Sequence, residues 1–311
     1  MSWTAESETC AASQPLAAIG DMPQVIYIMG TGRSGTTVLE ILLANNPQVI
    51  GVGEATHIFR DGFIDNVDCS CGQPTRNCPA WSAIAMRCGW EGKVVVELEH
   101  LFHRIAWHSR FPLLAARLVP DARLRRYKDV NACMFGAAAA FTAASMVVDS
   151  SKYAGRALAL ARMFPDNVRV ICVTRSPASL VAAFERADSG EQKPKSLPAV
   201  FLYYLYTLAS FRVVAWSLGT RLLKISYEDI MAFPVETLER IEQWSGQSMG
   251  QAISTIEDDS WLEVGHMVTG NRLRKQGKIK FKPRVPINYQ AGFLKKSIIW
   301  LMDLYRRLLG F

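Results

Sequence analysis

The sequence predicts an α/β fold, a parallel β-sheet flanked by helices on both faces, on three observations. Short apolar runs such as Val25-Ile26-Tyr27-Ile28-Met29 lack polar alternation, as expected of strands covered on both sides. Segments with helical spacing of apolar residues follow such runs, giving the order β-α-β-α. The first run leads directly into GTGRSGTT, a glycine turn that opens a helix, which makes the expected sheet P-loop-type. With 311 residues, half of them hydrophobic, the chain can bury one large core.

Taken in order, residues 1–22 are expected to be a flexible N-terminus and 23–311 a single domain without an internal linker. After the first strand comes a helix at 36–45, ended by Pro47, and a short strand at 49–52 that delivers Gly53 and Glu54. Residues 60–90 are rich in Cys, Gly and Pro and read as an insertion loop. Apolar spacing then predicts helices within 94–119 and at 131–144, a strand at 145–149, a helix at 153–164 and a strand at 168–174. A helix begins near Pro177, an aromatic-rich one spans about 199–216, a strand runs 221–225 and a further helix about 234–244. GFLKKSIIWLMDLYRRLLGF closes the chain as an amphipathic basic helix that packs onto the domain or docks on an anionic membrane or a partner.

A net charge of +7 favours anionic ligands. No long Lys/Arg run or nucleic-acid module is visible, so a small anionic molecule is expected and nucleic acid is not. The first twenty residues lack the basic start and apolar run of a signal peptide, and no uninterrupted apolar span of membrane length is apparent; a soluble, cytoplasmic protein is expected. Cys10, Cys88, Cys133 and Cys172 stand apart, which suits a reducing compartment better than a disulfide framework.

Three segments carry chemistry. Gly30, Gly32 and Gly35 let the backbone bend so that its N–H groups converge on an anion at the helix N-terminus. Thr36 stands where a nucleotide triphosphatase has lysine, and Arg33 supplies a cation three residues earlier. In VVDSSKYAGRALALAR, Asp149 ends a strand, Ser150 and Ser151 occupy helix-capping positions and Lys152 lies in the first turn, so all four are expected at the carboxyl edge of the sheet beside the glycine loop. In VRVICVTRSPASLVAAFER, a buried strand brings Arg175 to that edge, where an anion would offset the cost of burying its charge.

Together GTGRSGTT, VDSSK, VTRSPASLVAAFER and ISYEDI resemble the motifs of sulfotransferases that use 3'-phosphoadenosine 5'-phosphosulfate (PAPS), over about 25–274. The resemblance implies that Gly30, Thr31, Gly32, Arg33, Ser34, Gly35, Thr36 and Thr37 hold the 5'-phosphosulfate and that Arg175 holds the 3'-phosphate. Ser176 replaces the family's usual Asp, and Ala183 stands where a second 3'-phosphate ligand, a Ser, is usual; Ser179, one helical turn earlier, could substitute. VIGVGEATHI is similar to the region of tyrosylprotein sulfotransferases that holds their Glu base, which makes Glu54 the candidate base and His57 its rival. Lys152 matches the lysine that contacts the transferring sulfuryl group. GNRLR resembles the C-terminal GNxxR of carbohydrate-type members, where a loop closes over the nucleotide; the resemblance implies a 3'-phosphate contact for Arg274, and a solvated charged loop is the other reading.

The implied reaction is sulfuryl transfer to a hydroxyl of a carbohydrate, lipid or small-molecule acceptor, a scheme that requires no metal. Segments 55–125 and 185–200 are expected to shape the acceptor pocket. Two alternatives stand beside it: a P-loop kinase with Asp149 as the Mg²⁺-binding strand end, against which the missing loop lysine argues, and a non-catalytic nucleotide-binding protein in which Glu54 is dispensable. CSCGQPTRNCPAW brings Cys69, Cys71 and Cys78 together; with His57 or His103 they could bind zinc, though the spacing is not a standard four-ligand one, and disulfide, metal and plain loop stay open.

Overall fold

The computed structural model describes residues 22–185, 194–270, 272–283, 289 and 292–311; Cys10 and Arg284 lie outside them. β1 (Gln24–Gly30) leads through the glycine turn into α1 (Thr36–Ala44), and β2 (Val49–Gly51) follows. Then come α2 (Pro79–Cys88), α3 (Lys93–Ala106), α4 (Phe111–Ala115), α5 (Asp121–Thr142), β3 (Met146–Lys152), α6 (Ala154–Met163), β4 (Val168–Thr174), α7 (Pro177–Glu185), α8 (Leu197–Leu218) and β5 (Leu222–Ser226). The chain continues through α9 (Tyr227–Ala232), α10 (Pro234–Ser245), α11 (Gly250–Glu257), β6 (Trp261–Glu263), β7 (Lys278–Lys280) and α12 (Phe293–Leu308).

The main sheet has the order β2-β3-β1-β4-β5, every pairing parallel, and β6 and β7 form a separate antiparallel pair. Because side chains alternate along a strand, β1 feeds two cores. Val25, Tyr27 and Met29 pack with the α2, α3, α5, α6 and α8 side, whereas Ile26 and Ile28 pack with the α1, α10 and α11 side. Burial of each such aliphatic side chain contributes about 1.5–3 kcal/mol, which is why apolar runs without alternation end up as central strands.

Several boundaries differ from expectation. β3 extends to Lys152, so Ser150 and Ser151 are strand residues; the cap of α6 is Tyr153. α5 starts ten residues before the expected 131, because its charged first half, DARLRRYKDV, buries only Tyr127 and Val130 and so has almost no apolar periodicity to read. The 60–90 insertion is more ordered than its composition suggests, with a π-type turn over Ile58–Ile64 and α2. Packing of α2 against α5 brings Cys88 and Cys133, 45 residues apart, into a disulfide, which overturns the expectation that both stand alone. Spacing could not reveal that pair, since it depends on helix packing. The segment Leu197–Arg221, containing α8, is long and apolar enough to cross a membrane by length and composition, contrary to expectation, but Val200, Tyr204, Leu208, Phe211 and Val214 bury one side of α8 in the core.

Two buried polar clusters tie the layers together. Asp149, fully buried, pairs with Arg156 at 2.7 Å and accepts hydrogen bonds from the backbone and hydroxyl of Ser151. Arg156 also donates to the Tyr127 hydroxyl at 2.5 Å and lies 5.1 Å from the Phe102 ring centre. Glu40, on α1 and equally buried, accepts the Gly53 N–H at 2.6 Å and the Ser150 hydroxyl. Burial outweighs those hydrogen bonds and pushes the Glu40 carboxyl up to about 8 from 4.5. The folded state therefore binds this proton more tightly than the unfolded chain, and the Glu40 contribution to stability declines as pH rises through the window from 4.5 to about 8. In Glu40→Gln, Ser150 can rotate to accept from the new amide. Urea unfolding at several pH values should give a flatter stability profile across that window than the wild-type chain; identical profiles would show that Glu40 does not titrate there.

Candidate active site

Strand register assembles the site. β1 and β4 pair Gly30 with Val173, so the glycine loop starts beside the strand that ends at Thr174 and delivers Arg175. β1 and β3 pair Met29 with Lys152 after a register shift, which places Lys152 at the start of the same loop. Beyond β2, Val52 donates to the Val148 carbonyl at 2.9 Å and Ser150 to the Gly53 carbonyl at 3.0 Å, so Glu54 emerges next to Lys152. Their side chains meet as an ion pair, Lys152 Nζ on Glu54 Oε1, both largely shielded from solvent.

The loop is tightly wound. Ser34 turns its hydroxyl and N–H back onto the Thr31 carbonyl at 2.7 and 3.2 Å. A Cβ on Gly30 would lie 2.7 Å from Ser34 Oγ and 3.0 Å from the Val173 carbonyl, and one on Gly35 would lie 2.6 Å from the Tyr227 ring at a φ of +86°. These two glycines are required by close approach and left-handed backbone, whereas Gly32 has ordinary space. Arg33 and Lys152 adopt φ of 67° and 74°, a conformation that costs a non-glycine residue on the order of 1 kcal/mol or more. Surrounding contacts must hold both cations in place. Thr36 and Thr37, in the first turn of α1, are buried beneath the loop. The Gly32 N–H is taken by the Tyr203 hydroxyl at 2.9 Å, a partner from 171 residues away.

Arg175 braces this loop from the far side. Its Nη1 donates to the Arg33 carbonyl at 2.5 Å, and its guanidinium lies 3.9 Å from the centre of the Tyr227 ring. Pairing of Thr174 with Ser226 brings ISYEDI alongside: Ser226 caps α9, and Glu228 accepts both the N–H and the hydroxyl of Ser176. Ser179 is buried on α7, one turn beyond. Arg274 donates to the Asp68 carbonyl at 2.8 Å, on the cysteine loop. Gly270, in the same GNRLR segment, comes closer to the glycine loop and Glu54: a Cβ there would lie 3.5 Å from Thr37 Oγ1 and 3.7 Å from Glu54 Oε1, and Thr269 Oγ1 donates to the Glu54 carbonyl at 3.1 Å.

Of VDSSK, only Lys152 reaches the loop. Asp149 is consumed by Arg156 and Ser150 by Glu40, so they do not point to the sheet edge as expected. A carboxylate buried against an arginine is not placed to bind Mg²⁺, which removes the strand-end ligand of the kinase alternative. His57, the rival base, hydrogen-bonds the Tyr153 hydroxyl at 3.2 Å and meets the edge of Trp107. Tyr153 stacks on Trp107 at 5.3 Å and lies 4.5 Å from His108, forming an aromatic wall next to Lys152. Burial pushes His108 down to about 4, aided by Lys195, so the His108 ring is neutral near pH 7.

Sequence reasoning missed Glu40, Tyr203, the Tyr227 ring and Gly270. Glu40 had a signal, a lone carboxylate inside the apolar helix TTVLEILLA. Tyr227 and Glu228 lie in ISYEDI, whose contacts no local pattern reveals; Tyr203 had no signal at all.

The chain is similar to several solved structures. The sulfotransferase domain from the curacin biosynthetic pathway is 15% identical with a TM-score of 0.48, covering 90% of this chain and 98% of that one. The sulfotransferase domain of the Synechococcus PCC 7002 olefin synthase is 17% identical with a TM-score of 0.44, covering 91% and 94%. Sulfotransferase STF9 from Mycobacterium avium is 14% identical with a TM-score of 0.47, covering 76% and 67%. No curated protein sequence matches the chain. The family model described as the sulfotransferase family matches residues 23–250, a span that includes the glycine loop, Glu54, Lys152 and Arg175, and the chain therefore belongs to the sulfotransferase family.

Proposed function

We propose that this sulfotransferase takes its sulfuryl group from PAPS and passes it to a hydroxyl of a carbohydrate, lipid or small-molecule acceptor. The observation that carries the reading is the meeting of Lys152 with Glu54 beside the glycine loop, where an acid–base group and a cation flank the position for a bound anion. The N-terminal end of α1, with the backbone of Gly30 to Thr37 and the Arg33 side chain, would hold the 5'-phosphosulfate. Arg175 and Ser179 would hold the 3'-phosphate, and Arg274 would join them only by leaving the Asp68 carbonyl.

In this reading the Glu54 carboxylate takes the proton of the acceptor hydroxyl. The acceptor oxygen forms a bond to sulfur as the bond from sulfur to the bridging phosphate oxygen breaks, and its electron pair stays on the nucleotide. Lys152 and Arg33 stabilise that developing negative charge. Tyr153, Trp107 and His57 form the wall nearest this pair and would present the acceptor to Glu54. The protein is proposed to work in the cytoplasm.

The C-terminal helix supports a membrane-surface contact. Ile298, Ile299, Met302 and Tyr305 pack inward, while Phe293, Leu294, Trp300, Leu301, Leu304 and Leu308 form an exposed stripe on the opposite side.

Titration with 3'-phosphoadenosine 5'-phosphate and with ATP tests the donor. The 3'-phosphorylated nucleotide should bind more tightly, and Arg33→Ala and Arg175→Ala should each weaken it roughly 10- to 100-fold, the equivalent of about 1.5–3 kcal/mol per charge-assisted contact. Equal affinity for ATP would reject PAPS. Glu54→Gln should keep nucleotide affinity and lose transfer by about 10²- to 10⁴-fold; unchanged turnover would remove Glu54 as the base. Co-sedimentation with anionic phosphatidylserine vesicles should be lost in Trp300→Glu/Leu301→Glu, and binding that survives the double change would reject the membrane contact.

A further inference from the structure

The cysteine insertion carries a second centre, separate from the chemistry of Glu54. Cys69 and Cys78 are buried, Cys71 lies on the solvent side, and the fourth partner is His266, supplied 188 residues beyond Cys78. It is neither His57 nor His103, which are engaged with Tyr153 and Trp107. Cys69 Sγ lies 3.6 Å from Cys78 Sγ and 4.0 Å from His266 Nδ1, and Cys78 Sγ lies 3.2 Å from the same nitrogen. The four donor atoms all fall within 4.8 Å of one another.

We propose that Cys69, Cys71, Cys78 and His266 form a structural zinc site. A tetrahedral zinc with bonds of about 2.3 Å to sulfur and about 2.0–2.1 Å to nitrogen separates its sulfurs by about 3.8 Å and sulfur from nitrogen by about 3.6 Å, close to the distances found here. Three thiolates and an imidazole suit zinc, and four protein ligands leave no open position for substrate, as in structural rather than catalytic sites. The spread of the donors fits one ion rather than a cluster.

The backbone is arranged to present the donors. Cys69 starts a tight turn closed by Gly72, which donates to the Cys69 carbonyl at 2.9 Å with φ of +82°. Cys78 is the N-cap residue of α2, where the helix dipole favours a thiolate. His266 is held from both sides: Trp81 donates to its carbonyl at 2.8 Å, while Ser70 donates to the Gly265 carbonyl at 2.6 Å and accepts from the Met267 N–H at 2.8 Å. These contacts orient the ligand as outer-shell partners do in metal sites.

The ion would brace the site wall. Met267 follows His266 directly and lies 3.4 Å from where a Gly53 Cβ would sit, and Gly270, four residues past His266, borders Glu54 and Thr37. Zinc would thus fasten the 265–270 segment to the insertion loop, and through it fix one side of the Glu54 position.

Metal analysis by inductively coupled plasma mass spectrometry on the full chain, purified without a metal-affinity step, tests this independently of any donor or acceptor. About one zinc per chain is expected, falling severalfold in Cys69→Ser/Cys78→Ser and in His266→Ala but not in Cys172→Ser. Zinc-free folded wild-type chain, zinc content unchanged in the double variant, or a Cys69–Cys78 disulfide in a peptide map would overturn the site. Should the variants fail to fold, cobalt substitution of the wild-type chain decides: thiolate-to-cobalt absorption bands support the site and their absence overturns it.

Discussion

At the heart of the structure a carboxylate on α1, Glu40, accepts hydrogen bonds from the Gly53 N–H and the Ser150 hydroxyl. Three pieces of chain are joined there: the helix that the glycine loop opens, the segment that carries Glu54, and the strand that ends in Lys152. A buried carboxylate is tolerated only where donors meet it, so the three pieces have little freedom to shift independently. Asp149 and Arg156 do the same on the other face of β3. With both clusters in place, the end of β3 is over-determined, and Lys152 can be held in a backbone conformation it would otherwise avoid.

The positive side chains then fall into place by register. Parallel strands all point their carboxyl ends the same way, so residues that end or follow β1, β3 and β4 must share one edge, and in this chain those residues include Arg33, Lys152 and Arg175. Arg175 does more than add charge: its contacts with the Arg33 carbonyl and the Tyr227 ring make it a strut of the loop. A cleft of about 510 Å³ lined by Leu114, Arg117, Arg162 and Arg221 lies elsewhere, beside the C-terminal end of α6, and contains none of these residues. The glycine loop, Glu54, Lys152 and Arg175 gather at the sheet edge instead.

The glycine loop, Arg33, Lys152, Arg175 and Glu54 were legible because each sits next to its own strand, and a strand that is apolar throughout announces both its burial and its end. Ser150 and Asp149 were misjudged for a related reason. Their position in the chain was right, but which face of β3 each side chain takes is set by the partners waiting there, Glu40 and Arg156. Similarly, CSCGQPTRNC pointed to a thiol cluster but not to His266, and Cys88 and Cys133 had no visible relation at all.

By itself, then, the sequence determined the layered architecture, the alternation of main-sheet strands with helices and the glycine loop between β1 and α1, since these follow from local periodicity, glycine placement and strand ends. Tertiary structure alone decided the Lys152–Glu54 pair, the Tyr203 and Tyr227 contacts on the loop, the Cys88–Cys133 disulfide and the place of His266 among the cysteines. Each of these joins segments tens to hundreds of residues apart, and only the packing of helices on a common sheet brings such segments within bonding distance.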